Sequence, residues 1–483
     1  MNNKITDAVA KGKSAIISEP YIETGVRPIQ NQPKNLGAGQ PVIIGSGVSG
    51  MAISKALSKA GVDHVFIGPP PDDKPKLGES MDTTGTLDLL DHYPEYSRFY
   101  FKKDHFVFWM GKRIIRCSLR FADQSGFVRF FKISRMKAPA TFLHVDRIGF
   151  DKALFEQIVT SPHCDYHNAL VEKVRYNKVS DQIEEVQLPE GVRIPASYVF
   201  DATTHRGPVA TTAKLKYDEL STLQMVSFAH FSRKASDPAV ADDELQWQKD
   251  TNLVLLQKDT DDIDGFAWMI PMGDTISVGA SIEAGDGAAF AGEELMDLIV
   301  AAYCRRGLHI GAMFPHRTAS KTFRHKYFVF ERIVGKNWLM AGPSACQVWF
   351  MSGAGVGMGL YAGQIAPKVI KNPAKYGKIY QEYITGLLPT HGTLAGFRYD
   401  NPNELDDASL QQRFDRIIHS NIVRMSRYLS IRKRRLGAFL GHLSVRFART
   451  GLVLKHYCDI TEQENSPRPH GESPGCPNCL PND

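Results

Sequence analysis

Residues 41–71, PVIIGSGVSGMAISKALSKAGVDHVFIGPPP, read as an apolar strand, a glycine-rich turn, a helix and a second strand. Val48, Ala52, Ile53, Ala56 and Leu57 recur at the spacing of one helix face, so the helix is expected to pack on a sheet. Gly45-Ser46-Gly47-Val48-Ser49-Gly50 fits G-x-G-x-x-G. In that pattern Gly45 makes the tight turn, Gly47 lets the backbone approach a pyrophosphate, and Gly50 lets helix and strand pack closely. Backbone N–H groups at the helix start then face the phosphates. The acid that customarily accepts a hydrogen bond from the ribose about 20 residues on is missing. Gly68 holds its place, followed by Pro69-Pro70-Pro71. Asp72 and Asp73 are near enough in the chain to swing in; otherwise the ribose is simply held less well.

The rest of the chain must supply the remainder of such a site. Its 483 residues suggest two or three packed units. An apolar content of 43% with 23% charged residues is ordinary for a soluble globular protein. There is no run long and apolar enough for a spanning helix, and the N-terminus lacks the apolar stretch of a signal peptide. Seven scattered cysteines fit a reducing cytosol better than a disulfide framework, so a cytoplasmic protein is expected. The net charge of +6 is uneven: residues 411–455 carry eleven Lys/Arg against one acid, Asp415.

Five regions follow from the pattern. Residues 1–40 form a polar N-terminal extension. Residues 41–210 and 331–375 form an interleaved nucleotide-binding domain of α/β, Rossmann-like class. Residues 211–330, rich in alternating strands such as GFAWMIPMGDTISVGASIEA, form an antiparallel β-sheet domain with Phe266, Trp268 and Ile270 on one face. Residues 376–460 are helical and basic, and 461–483 have the composition of a flexible tail. A hairpin is expected about Met110-Gly111-Lys112.

Three further segments resemble one superfamily. VDRIGFDKALFEQI, with Val145, Arg147, Phe150, Asp151 and Leu154, resembles the V-x-R-x-x-F-D-x-x-L pattern of the FAD-dependent hydroxylases, halogenases and geranylgeranyl-reductase-like proteins. FDATTHRGPVA resembles their D-A-(S/T)-G-x-x-(G/S) strand, through Asp201, Ala202, Thr203, Gly207 and Pro208, with Thr204 in place of the glycine. LMAGPSACQVWFMSGAGVGMG resembles the late flavin strand and loop through Gly342, Ala345, Gly353 and Gly355, with Pro343 where an aspartate is usual. The resemblance covers residues 41–375 and implies a para-hydroxybenzoate-hydroxylase-like FAD-binding fold. It implies a cofactor-binding set of Gly45, Gly47, Gly50, Glu79, Ser80, Arg147, Asp201, Gly342, Gly353 and Gly355. With two customary acids absent, FAD is expected to be loosely held and to arrive reduced by a partner reductase or NAD(P)H.

Two motifs resemble the halogenase branch. Gly78-Glu79-Ser80 matches its G-E-(S/A) loop, and Phe266-Ala267-Trp268-Met269-Ile270-Pro271 its W-x-W-x-I-P strand, with Phe266 for the first tryptophan. Lys103 lies in a stretch similar to the one that carries the halogenase lysine, whose ammonium captures or hydrogen-bonds hypohalous acid and aims it at an electron-rich ring. Lys103 and Trp268 are the catalytic candidates. Phe106, Phe108 and Trp109 would keep bulk water out. Against halogenation, Phe350 and Gly353 replace the proline and serine of the halide-side P-x-x-S-x-G, although Ser352 is adjacent, and SGAG is similar to the loop of flavin hydroxylases.

The expected activity is therefore oxygen activation by reduced FAD, to hydroxylate or halogenate an aromatic or polyene-like metabolite of secondary metabolism, free or carrier-bound. A flavin reductase acting on isolated double bonds and a non-catalytic protein on a flavin scaffold remain open. The basic stretch 411–455 is either a solvated face or a surface for an acidic carrier protein or anionic membrane; no nucleic-acid motif accompanies it. Cys476 and Cys479, with Cys458, His456 and His470 upstream, are read as part of the tail, and no metal is expected.

Overall fold

The computed structural model describes residues 39–120, 141–237, 250–287, 292–348, 353–388, 391–392, 406–410, 412 and 458–462. The 411–455 basic stretch beyond Gln412, Phe350, Ser352, His456, His470, Cys476 and Cys479 lie outside the described residues.

The apolar run at Gln40–Ile44 becomes a central parallel strand, as a strand covered on both faces should. On one side it pairs in parallel with His64–Ile67, which pairs in turn with Cys164–His167. On the other it pairs with Arg193–Asp201, whose far end pairs with Trp338–Met340. The near end of Arg193–Asp201 turns into an antiparallel meander with Gln182–Gln187 and Lys173–Asn177. The helix Val48–Lys59 lies on this sheet, and Ala354–Lys371 packs along that helix. Glycines set their separation: a Cβ on Gly363 would stand 2.6 Å from the Ala52 carbonyl oxygen. The repeated glycines of GVGMGLYAG thus lie within a helix and serve as its packing surface, where a loop was expected.

The second sheet is antiparallel through His316–Arg317, Gln224–Ser232, Thr275–Glu283, Gly265–Met272 and Asp250–Leu256, with Lys321–His325 also on Gln224–Ser232. Beyond Asp250–Leu256 it continues into the hairpin His105–Met110 and Arg113–Ser118, the first strand joining in parallel. That hairpin falls within 41–210 by sequence, yet pairs with the second sheet. Alternation sorts the two faces as expected. Phe266, Trp268 and Ile270 share one face with Phe108, Phe228 and Leu253, whereas Ala267 and Met269 meet Leu295, Met296, Ile299 and Tyr303 from the helix Glu293–Cys304.

Two local expectations change. Cys458–Glu462 is an edge strand paired with Arg113–Ser118, not the end of a helical region running into a tail. Cys117 and Cys304 each take part in a disulfide, while Cys164 and Cys346 are free and buried, so the cysteines are not all the reduced thiols their scatter suggested. Among the described residues no helix is long and apolar enough to cross a membrane, and no group of three or more His, Cys, Asp or Glu is placed to hold a metal.

Candidate functional site

The candidate glycines divide into two kinds. At Gly45 a Cβ would meet the Ala202 carbonyl oxygen at 2.5 Å, and at Gly50 it would overlap the carbonyl of Gly45 itself. At Gly342 it would overlap Ser49 Oγ, and at Gly353 it would come within 2.8 Å of the Ser80 carbonyl oxygen. These four glycines let chain segments touch. Gly47 and Gly355 differ: a Cβ on either meets none of the described residues within 4 Å. Each stands beside a helix start, Val48–Lys59 for Gly47 and Ala354–Lys371 for Gly355. Both are exposed, so the backbone at these two helix starts is open to approach from outside.

The Gly78-Glu79-Ser80 loop runs between these features. A Cβ on Gly78 would lie 2.8 Å from Arg147 Nη1 and 2.7 Å from Val356 Cγ2, so Arg147 and the start of the Ala354–Lys371 helix border the same point. Arg147 sits in the first turn of a helix whose N-cap, Asp146, accepts from the amides of Ile148 and Gly149. Its guanidinium donates to both carboxylate oxygens of Asp151, at 3.0 and 2.9 Å, and to the Leu77 carbonyl at 2.9 Å. Burial works against that charge, but Asp151 and Glu79 outweigh it and raise the pKa.

Glu79 is 1% exposed and accepts a 2.6 Å hydrogen bond from His230 Nε2, on the second sheet. Burial opposes protonation of His230, yet the hydrogen bond and charge of Glu79, helped by Asp146, raise its pKa. The pair ties the loop to the second sheet. Because the raised pKa belongs to the folded state, its stabilisation is fully present below the unfolded histidine value of about 6.5 and is lost as pH rises through the folded one. Chemical denaturation at pH 6 and pH 8.5 should therefore show a loss of stability with rising pH that is smaller in His230→Gln. An identical pH dependence in the variant would contradict the ion pair.

Lys103 ends the strand Tyr100–Lys103, which pairs with Phe142–Val145. Alternation turns Lys102 outward and Lys103 inward, where it is only 4% exposed. Its Nζ donates to Ser80 Oγ at 2.7 Å, lies 3.5 Å from the Met81 carbonyl and stands 5.1 Å from the centre of the Phe106 ring. Burial lowers its pKa to about 7, with Asp82 pulling the other way. His144 completes the surroundings: Nδ1 donates to the Pro271 carbonyl at 2.7 Å and Nε2 accepts from Thr251 Oγ1 at 2.7 Å. Burial, then the Lys103 charge, hold its pKa well down, so it is a neutral fixture. His144 thus ties the strand bearing Pro271 to Phe142–Val145, the strand that pairs with Tyr100–Lys103.

Other candidates take structural places. Asp201 is buried, and its carboxylate accepts from the amides of Thr203 and Val209, both at 3.1 Å, and from Thr203 Oγ1 at 2.5 Å, holding the turn after its strand. Burial raises its pKa against those bonds. Pro343 lies in a short 3-10 turn whose Gly342 amide donates to Tyr380 Oη at 3.3 Å. Trp268 is 2% exposed, packed near Phe228 and over Gly279, in the sheet face described above. Asp72 and Asp73 are turned to Lys76 and Lys152, not to Gly68. Sequence reading missed Ser46, His144 and His230; the last stands 151 positions from its partner, beyond any local pattern. A concavity of about 1000 Å³ lined by Ser197, Tyr198, Lys336 and Gly377 includes none of the candidate site residues.

No protein-family model and no curated protein matches the sequence. Solved structures do. The flavin-dependent brominase Bmp2 superposes on 86% of this chain and 100% of its own, with a TM-score of 0.59 and 15% identity. The flavin-dependent halogenase CmlS covers 86% of this chain and 78% of its own, at a TM-score of 0.57 and 19% identity.

This is the fold shared by flavin-dependent halogenases and FAD-dependent monooxygenases.

Pseudomonas aeruginosa pqsL, a probable FAD-dependent monooxygenase, shares it over 83% of this chain and 99% of its own, at a TM-score of 0.52 and 13% identity. The shared fold places a dinucleotide-type sheet beside an antiparallel sheet, and here Lys103 and the Gly78–Ser80 loop stand at their border.

Proposed function

We propose that the chain is a flavin-dependent oxidoreductase that halogenates an electron-rich organic molecule, with FAD along the path between Gly47 and Gly355. The residues fit that group. Two unfilled glycine positions beside helix starts are where a pyrophosphate and a ring system need close backbone approach. Arg147 and the Gly78–Ser80 loop would border it, and the backbone at Gly355 would support negative charge on the reduced ring. The missing ribose and Pro343 acids argue for loose binding and a separate source of reduced flavin.

When bound, reduced FAD supplies electrons for oxygen activation. Molecular oxygen accepts four electrons in all, two from the flavin and two as halide replaces hydrogen on the substrate, and leaves as two waters. The chain's own part is to place a proton and exclude solvent. The observation carrying the halogenase reading is Lys103: a buried cation held by Ser80 and flanked by Phe106. With a pKa near neutrality it can hold a proton against the leaving oxygen and release it. Phe106, Phe108, Phe266 and Trp268 form an apolar wall on the same side.

The test is product analysis with FAD, a flavin reductase, oxygen and bromide on a panel of phenols and indoles. Brominated product supports the reading. Hydroxylated product alone would assign the same site to a monooxygenase, and oxygen-independent turnover to a reductase.

A further inference from the structure

The end of the second strand carries an inference that rests on the cofactor reading. Gly68 lies opposite the glycine turn: the Gly45 amide donates to the Ile67 carbonyl at 2.8 Å. Its φ is +156°, and a Cβ there would stand 2.6 Å from Ser46 Oγ and 2.7 Å from the Ser46 amide nitrogen. The conformation is fixed from both directions. The Gly68 amide donates to the His167 carbonyl at 3.1 Å, and Tyr166 Oη donates to the Gly68 carbonyl at 2.9 Å. Ser46 in turn donates its hydroxyl proton to the Pro69 carbonyl. The place where an acid would begin is therefore filled by Ser46. The two carboxylates that follow in the chain, Asp72 and Asp73, face lysines instead.

We infer that this dinucleotide site does not read the adenosine ribose: Ser46 occupies the acid's position, and recognition rests on the flavin and pyrophosphate. The acid in question works by accepting a hydrogen bond from the ribose 2′-hydroxyl. A charge-assisted bond of that kind is worth roughly 10- to 150-fold in affinity. Among the described residues no carboxylate supplies it here. Ser46 has spent its proton on Pro69, which leaves it only as a neutral acceptor.

The experiment compares FAD with the flavin dinucleotide built on 2′-deoxyadenosine, in equilibrium titrations followed by flavin fluorescence, for the full chain and for Ser46→Ala. Dissociation constants within about twofold of each other in the parent support the inference. A deoxy compound that binds more weakly than that overturns it; disappearance of the difference in Ser46→Ala would make Ser46 itself the ribose reader. If neither dinucleotide binds, the cofactor reading falls and this inference with it, a result distinct from discrimination between two bound ligands.

Discussion

Lys103→Ala is expected to lower the rate of product formation by roughly 10²–10³, the scale on which a fixed donor to a reacting oxygen contributes. FAD affinity should fall far less than the rate, because Lys103 Nζ meets the cofactor's border only through Ser80 Oγ. The sign of the pH dependence follows from burial. With a pKa of about 7, Lys103 is an ammonium below neutrality and an amine above it. The working donor is the ammonium, so turnover should hold level at lower pH and fall as pH rises through about 7. The variant's residual rate should lack that inflection. A parent rate that instead climbs through the same interval would make the neutral amine the active form, with nitrogen as nucleophile. Measuring turnover under saturating reduced flavin separates this from effects on the reductase.

Gly355→Val and Gly47→Val should each weaken FAD by roughly 100-fold, about 2.7 kcal/mol, with little change in folding. The reason is the room at these positions: a side chain meets none of the described residues, so it costs the fold little and would occupy the cofactor's path. A valine near the start of a helix adds only a few tenths of a kcal/mol of intrinsic preference. Gly50→Ala is the control of opposite kind. Its methyl group overlaps the Gly45 carbonyl oxygen and should destabilise the whole chain, by about 3 kcal/mol or more. Denaturant titrations and flavin titrations on the three variants distinguish a cradle from a packing contact. Unchanged FAD affinity in both valine variants would place the cofactor elsewhere.

Much of the fold was legible because its signals are local. The strand, glycine turn and helix at 40–59 announce themselves by period and composition, and the alternation of Phe266, Trp268 and Ile270 marked the face they share. Trp268 shows the limit of that reading: a tryptophan named for chemistry also packs as core over Gly279, a neighbour that only strand pairing supplies. Lys103 was visible as a residue but not as a buried one, since two adjacent lysines look solvated. The alternation of the strand Tyr100–Lys103 was the available signal. Gly68 is a different case. Its missing side chain was plain, while the reason, a serine 22 positions earlier folded over it, required the turn's geometry. His230 and Glu79 meet only because two sheets meet.

The most direct measurement is a crystal structure of the chain soaked with FAD. Electron density for the pyrophosphate beside Gly47 and for the ring system beside Gly355, bordered by Arg147 and the Gly78–Ser80 loop, is the expected result. Density lodged in the concavity lined by Tyr198 and Gly377, or an empty path between the two glycines at saturating FAD, would contradict it.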